Sequence, residues 1–289
     1  MEKKLIVEKV LNNNVIIAAH PDYKEVVLIG KGIGFNRDKG DTVPSDQADK
    51  TFLLKDAQEK EQYMHLLDHI DQDLISFLND IMFFIEERMG QSLNEHIHVA
   101  LTDHLAFAIN RVHKRIQFNN PFLFEIESLY PKEYQVATEV VEKVKERLNV
   151  PFPGGEVGFI ALHIHSAITD KSLRDINKHH KLISKMVNVI EENLEMKLEK
   201  GNINYNRLIQ HLHRAIDRVY QGEQLGKQKT LAEMLKMTYP LCYNLAWKLI
   251  KVMQKQLNRP VDETEVLYLT IHLQRLTDKL RVTDTIRHE

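Results

Sequence analysis

The first fifty residues alternate between short apolar runs and polar turns, as β-strands do. Two runs rich in β-branched residues, LIVEKV and VIIAAH, lie on either side of Asn12, Asn13 and Asn14. Asparagine tolerates the left-handed backbone of tight turns, so this stretch predicts a β-hairpin.

A third strand-like run, YKEVVLIG, leads into the segment GKGIGF at residues 30–35. Its three alternating glycines disfavour a helix and permit a bend or a close backbone approach. The polar stretch GDTVPSDQADK is predicted to be a loop, and the run TFLL to be a last strand. We therefore predict that residues 1–56 form a small all-β domain of about four strands.

From Asp56 onward the apolar period changes from two residues to about 3.6, which predicts helices. Helical spacing extends over residues 57–88 and 92–116, with Ser92 and Asn94 as candidate caps of the second run. Pro131 is placed to open a further helix, because its missing N–H costs nothing in a first turn. The stretch NVPFPGG ends that helix, and EVGFIALHIHSAI begins the next.

The second helical half repeats the first. Residues 130–163 align without a gap to residues 239–272, and ten of the thirty-four positions are identical, including Glu156 with Glu265 and His163 with His272. A repeat this long indicates two copies of a whole domain, because solenoid repeats are about 20 to 50 residues long. We predict a multidomain chain: the all-β domain, then two homologous all-α helical-bundle domains at 57–171 and 172–289, with their boundary near 168–178.

The composition and net charge limit the classes of protein to which this chain can belong. The chain is 43% hydrophobic and 28% charged, so it has material for two or three domains with their own cores, and its net charge of −2 neither indicates nor excludes a nucleic-acid partner. Glu8 and Lys9 interrupt the first apolar run, so we expect no signal peptide. The single cysteine, Cys242, excludes an internal disulfide framework, and a cytoplasmic location is expected.

Four histidines recur at matching places in the two helical domains. His104 lies 59 residues before His163, and His211 lies 61 residues before His272. A lone histidine on an apolar helix face is most often a hydrogen-bonded core residue. Its repetition, two per domain, favours a shared use over burial alone.

Metal binding and catalysis both fit these histidines poorly. The His-x-His pairs at 96 and 98, 163 and 165, and 211 and 213 lie on helices, where residues two apart point in nearly opposite directions. The sequence has no HExxH, no G-x-S-x-G and no phosphate-binding loop, so we expect no metal, no cofactor and no enzyme. Phosphoryl acceptance remains, because a neutral imidazole is a competent nucleophile and gains about two negative charges when phosphorylated.

At this point the motifs match a known family. The whole chain resembles the transcriptional antiterminators regulated by the bacterial sugar phosphotransferase system (PTS), the BglG/SacY/LicT family. LNNNV and GKGIGF resemble its RNA-binding module, and LTDH, GFIALH, IQHL and LTIH resemble its four phosphorylatable-histidine motifs. The stretches SLNEHIHVALTDHLAFAI and SLYPKEYQVA, with Lys31 where several relatives carry arginine, look most like the glucose-operon members.

The resemblance implies a set of RNA contacts in the β domain. It assigns RNA binding to Lys9, Asn14, Gly30, Lys31 and Phe35, whose chemistry suits phosphates, base edges and stacking. Alternative structural roles remain open at two of them, since Asn14 could make the turn and Phe35 could be core. Composition adds nothing, since residues 1–56 hold nine Lys or Arg and nine Asp or Glu.

The resemblance also implies the phosphorylation sites and the partners. His104 and His163 are expected to be phosphorylated in the first domain, and His211 and His272 in the second, while Asp103 could orient His104. The implied partners are a leader mRNA hairpin, a sugar-specific permease (for glucose here), the phosphocarrier protein HPr and a second copy of the chain. No phosphorylation is expected at the histidines without a counterpart in the family's motifs, which are His96, His98, His165 and His213.

Two alternatives to an RNA antiterminator stay open. One is a PTS-regulated DNA-binding activator, although the strand-rich start of the chain disfavours the helix-turn-helix that it needs. The other is a metal- or ligand-binding helical protein whose small N-terminal β domain has no part in its function.

Overall fold

The computed structural model describes residues 4–52, 61, 63–66, 70–116, 118–224, 226 and 228–287. Its contacts divide the chain into two compact units. One comprises Met1–Asn120 with Lys132–Lys171, and the other Pro121–Pro131 with Ser172–Glu289. The β domain and most of the first helical domain thus share a unit, whereas residues 121–131 of the first repeat pack with the second.

The N-terminal domain is one antiparallel sheet. In chain order its strands are β1 (Lys4–Asn12), β2 (Val15–His20), β3 (Lys24–Ile29), β4 (Thr42–Pro44) and β5 (Lys50–Phe52), arranged spatially as β4-β1-β2-β3-β5. The predicted hairpin is confirmed as β1 and β2, with Asn12 opposite Val15. Its asparagines act through hydrogen bonds instead of a left-handed backbone: the Asn12 side chain accepts from the Asn14 N–H at 2.8 Å, and neither residue has a positive φ.

The sheet has five described strands, not about four. The stretch predicted as a polar loop contains β4, where Val43 pairs with Leu5 of β1. Three residues with one apolar side chain leave no alternating pattern, so only the pairing partner defines this strand. Within TFLL, Phe52 ends β5, and Leu53 and Leu54 lie outside the described residues.

Both faces of the central strands are buried. One face, with Leu5, Ile16 and Leu28 among its members, packs under the loop residue Ile33. On the other face, residues that include Ile17 and Val27 pack against Tyr63 and Ile75 of the helical part. Burial on both faces explains why β2 and β3 are continuous apolar runs.

The first helical domain contains α1 (Gln72–Met89), α2 (His96–His113), α3 (Leu123–Leu129), α4 (Pro131–Leu148) and α5 (Gly155–Thr169). The prediction of one helical run over 57–88 was wrong, because residues 70–71 are not helical. Helix α1 begins just after them, and the Asp71 carboxylate caps it by accepting from the Asp73 N–H at 2.8 Å. The next helix begins at His96, later than Ser92, and Asn94 accepts from the His96 N–H at 3.1 Å.

The second helical domain repeats this order. It contains α6 (Leu173–Leu194), α7 (Ile203–Gln221), α8 (Lys229–Thr238), α9 (Pro240–Leu257) and α10 (Glu265–Arg287). Helix α6 begins inside the stretch predicted as a polar boundary, where the Ser172 hydroxyl accepts from the Asp175 N–H. Its apolar face, with Ile183 and Met186, joins the core formed with α7, α9 and α10.

Helix α3 packs against α7 within the second unit. The buried Glu125 carboxylate accepts a hydrogen bond from the Tyr205 hydroxyl and lies 3.3 Å from the Lys200 ammonium. The Tyr130 hydroxyl is 3.3 Å from Nε2 of His213. A short segment of the first repeat is therefore held by polar contacts to the second.

Candidate phosphorylation and RNA-contact sites

The two predicted histidines of the first domain lie side by side. Helices α2 and α5 pack together and place the His104 and His163 rings 4.9 Å apart, centroid to centroid. The second domain builds the same pair from α7 and α10, where the His211 and His272 rings are 4.4 Å apart. The structure thus brings together each pair that the repeat predicted.

A buried carboxylate joins each histidine pair. In the first domain Oε2 of Glu156 is 3.0 Å from Nε2 of His104, and its Oε1 accepts from the Arg111 guanidinium at 2.7 Å. The Glu156 side chain is only 2% exposed and lies in the first turn of α5, where the helix dipole favours a negative charge. The guanidinium and the dipole together compensate the buried carboxylate.

The second domain repeats this arrangement with a tighter ion pair. Arg218 donates from Nε and Nη2 to the two oxygens of Glu265, at 2.5 and 2.8 Å. Nε2 of His211 lies 3.7 Å from the same carboxylate, an ion-pair distance longer than a hydrogen bond. Burial opposes ionisation of Glu265, but its contacts with His211 and Arg218 keep its pKa below the usual range.

The other histidine of each pair is held neutral. Burial, with the neighbouring His104, lowers the pKa of His163 to about 3. Burial, His211 and two arginines lower the pKa of His272 to about 4. At neutral pH each imidazole therefore keeps a lone pair, which is the form that attacks phosphorus.

Sequence reasoning missed the carboxylate and the arginine of each site. Glu156 and Glu265 were already among the repeated identities, and Arg111 and Arg218 each follow the first histidine of their pair by seven residues. That shared spacing was the available signal. Asp103 is exposed, and no hydrogen bond or ion pair joins it to His104 in the described part of the chain.

The remaining histidines have other contacts. Nδ1 of His165 is 2.9 Å from the Glu133 carboxylate, and Nδ1 of His213 is 3.1 Å from Asp217. His98 is buried, and burial lowers its pKa to about 3. Among the described residues no three His, Cys, Asp or Glu side chains converge as a metal site would require.

Four of the five predicted RNA contacts lie on or beside the glycine loop. Oδ1 of Asn14 accepts from the Gly32 N–H at 2.9 Å, and its carbonyl accepts from the Gly30 N–H at 3.0 Å. The Lys31 N–H donates to the Asp49 carboxylate at 3.1 Å, and Phe35 is 62% exposed. Asn14 therefore fixes the loop that presents Lys31 and Phe35, and Phe35 is not a core residue.

Gly30 and Lys9 play different parts. A Cβ at Gly30 would lie 2.7 Å from the Gln47 carbonyl, so this position needs glycine for close backbone packing. Lys9 is exposed on β1, where it pairs with Ile17.

Comparison with known proteins agrees with this arrangement. A family model described as the CAT RNA binding domain matches residues 5–61, and one described as the PRD domain matches twice, over 79–167 and 184–276. The PtsGHI operon antiterminator of Bacillus subtilis (strain 168) is 50% identical over 280 residues, which cover 97% of this chain and 100% of that protein. This chain belongs to the PTS-regulated transcriptional antiterminators. It is an RNA-binding regulator with two PRD domains.

Two further relatives are similar to this antiterminator. The GlcA/glcB genes antiterminator of Staphylococcus carnosus (strain TM300) is 38% identical over 276 residues, 95% of this chain and 96% of that protein. A structure titled "Crystal structure of GlcT CAT-PRDI" matches with a TM-score of 0.53 and 53% identity, over 58% of this chain and 99% of that one. The predicted family and fold class are confirmed. No helix among the described residues is long and apolar enough to cross a membrane.

Proposed function

We propose that this antiterminator binds an RNA hairpin in the leader of a glucose-transport operon. Binding stabilises that hairpin against an overlapping terminator by mass action, and transcription then continues into the operon. The proposal is supported by relatives named for the ptsGHI operon and for the glcA/glcB genes. We assign RNA binding to residues 1–56 and regulation to the domains at 57–171 and 172–289, acting in the cytoplasm as a homodimer.

In the RNA complex, the loop fixed by Asn14 and Gly30 presents the contact groups. Lys9 and Lys31 bind phosphates, and the exposed Phe35 ring stacks on an unpaired base. The exposure of Phe35 carries this assignment, because an aromatic ring that a loop leaves in water has apolar surface available for a base.

Regulation acts through the paired histidines. Without glucose the phosphorylated glucose permease transfers phosphoryl groups to His104 or His163, and HPr phosphorylates His211 or His272. Each transfer adds about two negative charges to a ring that lies between two packed helices. The duplicated pairing of the rings, at 4.9 and 4.4 Å, is the observation that carries this proposal.

The added charge selects between two states of the dimer. A phosphoryl group on His104, whose side chain is only 15% exposed between α2 and α5, places about two negative charges where little solvent can screen them, which disfavours the packing of α2 on α5. A different arrangement of the dimer then becomes the more stable one. Phosphorylation of the first domain thereby lowers the population of the dimer that binds RNA. When glucose is present, the phosphoryl group is transferred to glucose, and the RNA-binding dimer forms again.

Phosphoryl transfer in vitro tests this proposal. The protein is incubated with PTS components and labelled phosphoenolpyruvate, with and without glucose. We expect a fraction of the label that requires the glucose permease, falls when glucose is added and is lost when His104→Ala and His163→Ala are combined, while label that HPr places on the second domain remains. His165→Ala, two residues from His163 on the same helix, is the matched control and should keep its label. Absence of label from every histidine would refute the regulatory assignment.

A further inference from the structure

Both PRD domains turn the same nitrogen of the first histidine toward a buried glutamate. We propose that Glu156 and Glu265 are positioning residues that make Nδ1 of His104 and of His211 the nitrogen that accepts the phosphoryl group. This inference rests on the proposed function, since it names the acceptor atom within the proposed phosphorylation sites.

The hydrogen bond in the first domain fixes the tautomer of His104. A carboxylate only accepts, so the 3.0 Å contact between Oε2 of Glu156 and Nε2 of His104 requires the ring proton on Nε2. A neutral imidazole carries one ring proton, so its lone pair then lies on Nδ1. Arg111 holds the other oxygen of Glu156 at 2.7 Å, which prevents the carboxylate from turning away.

The second domain repeats the orientation of the ring, at a longer distance. Nε2 of His211 is buried and has no hydrogen-bond partner in the described structure, and it faces Glu265 at 3.7 Å. Two hydrogen bonds from Arg218 fix that carboxylate. A donor protein would have to displace the Arg218–Glu265 pair to reach Nε2.

The transfer step balances with the proton left in place. The Nδ1 lone pair of His104 forms an N–P bond as the bond from phosphorus to the donor's side-chain nitrogen or sulfur breaks. The leaving atom takes the bonding electron pair. His104 becomes an imidazolium that keeps its Nε2–H, and the Glu156 carboxylate stabilises that charge, as the aspartate of a serine-protease triad does.

Phosphorylation at Nε2 would need a different structure. The phosphoryl group would occupy the position of Oε2 of Glu156 and place two negative charges against a carboxylate that is 2% exposed. At Nδ1 the phosphate lies on the other side of the ring, and the hydrogen bond to Glu156 survives. The geometry therefore favours the Nδ1 isomer.

NMR of the full-length protein tests the tautomer without any phosphoryl donor. Long-range ¹H–¹⁵N correlation spectra at neutral pH report which ring nitrogen of His104 bears the proton. We expect Nε2–H in the wild type and in Glu156→Gln, whose amide oxygen still accepts, and a mixture of tautomers in Glu156→Ala. An Nδ1–H tautomer in the wild type would overturn the inference.

The phosphorylated protein tests the acceptor atom. His163→Ala, charged by the phosphorylated glucose permease, leaves His104 as the acceptor of the first domain, and ³¹P–¹H correlations distinguish its two phosphohistidine isomers. We expect the Nδ1 isomer, with transfer slowed roughly 100-fold by Glu156→Ala and less by Glu156→Gln. Glu133→Gln is the matched control, because Glu133 accepts from His165 on the same helix as His163; its isomer and rate should match the parent.

The outcomes separate this inference from the proposed function. The Nε2 isomer would overturn the role of Glu156 and leave the phosphorylation sites intact. Phosphate on His163 of the wild type with none on His104 of the variant would overturn the inference and leave the proposed function intact. Failure of any phosphate to reach either histidine would remove the proposed function together with this inference. The same spectra of His272→Ala charged by HPr extend the test to His211 and Glu265.

Discussion

Cys242 lies against Gln274 in the second PRD domain, with Sγ 3.5 Å from Oε1, at the positions where Glu133 contacts His165 in the first. The repeat has kept this contact while changing both of its residues. Two residues before the His165 and Gln274 positions lie His163 and His272, and here the histidine pair and its glutamate are the same in both domains. The contrast supports a chemical role for the histidine sites beyond packing.

Acid should destabilise the first domain through His163. The unfolded chain takes up this proton near pH 6.5, whereas burial holds the folded pKa at about 3. Between those values the unfolded state binds more protons, so stability is full above about pH 6.5 and falls as the pH is lowered toward 3. Urea unfolding from pH 7 to pH 5 should show a shallower loss in His163→Gln, by up to about 1.4 kcal/mol per pH unit. His113→Gln, at an exposed position, should lose stability with falling pH as the wild type does. If His163→Gln loses as much stability as the wild type over this pH range, the effect of His163 is disproved.

Loss of Arg218 should strongly destabilise the second domain. Arg218→Ala leaves the buried Glu265 carboxylate without its two hydrogen bonds, so we expect a loss of about 3 to 5 kcal/mol. The same bidentate geometry occurs between Arg88 and Glu139, where Arg88 is 48% exposed, and Arg88→Ala should cost at most about 1 kcal/mol. Chemical denaturation measures the free energy of unfolding of both variants. Equal losses of stability in Arg218→Ala and Arg88→Ala would show that burial of the ion pair is unimportant.

Removal of the Phe35 ring should weaken RNA binding without unfolding the protein. A stacked base contributes about 1 to 3 kcal/mol, so Phe35→Ala should bind the leader hairpin roughly 5- to 150-fold more weakly. Tyr23 is an exposed aromatic on the same sheet, at the turn between β2 and β3, and Tyr23→Ala should bind normally. Equilibrium binding to the labelled hairpin measures the affinity of both variants. An equal loss of affinity in both would contradict a specific role for Phe35.

The Tyr205 hydroxyl should stabilise the packing of α3. Tyr205→Phe keeps the ring and removes a donor to the buried Glu125, so we expect a loss of about 1 to 3 kcal/mol and faster amide exchange in α3. Tyr268→Phe, a partly exposed ring on α10, serves as the comparison. Unchanged exchange in α3 would mean that its apolar contacts suffice.

Much of this structure was predictable because the chain repeats itself. The spacing of His104 and His163 recurs as that of His211 and His272, and the shared apolar pattern placed each pair on two helices. The repeat also contained Glu156, but a glutamate in a first helical turn commonly serves the helix dipole, so its identity in both copies did not reveal its partner. Only the packed structure shows that its carboxylate reaches His104.

Other features depend on contacts that no local pattern encodes. Strand β4 exists because Val43 meets Leu5 of β1, which requires the chain to return across the sheet. The break before α1 depends on a single cap at Asp71 within a continuous helical pattern. The association of α3 with α7 joins Glu125 to a tyrosine eighty residues away. Such long-range contacts are set by tertiary packing.

The affinity for RNA before and after phosphorylation tests the central claim most directly. The glucose permease is used to phosphorylate the wild type and a variant carrying both His104→Ala and His163→Ala, and binding to the leader hairpin is then measured. We predict that phosphorylation weakens binding by the wild type at least about tenfold, equivalent to roughly 1.4 kcal/mol, and leaves the variant unchanged. Equal affinity of the phosphorylated and unphosphorylated wild type would contradict control of RNA binding by these histidines.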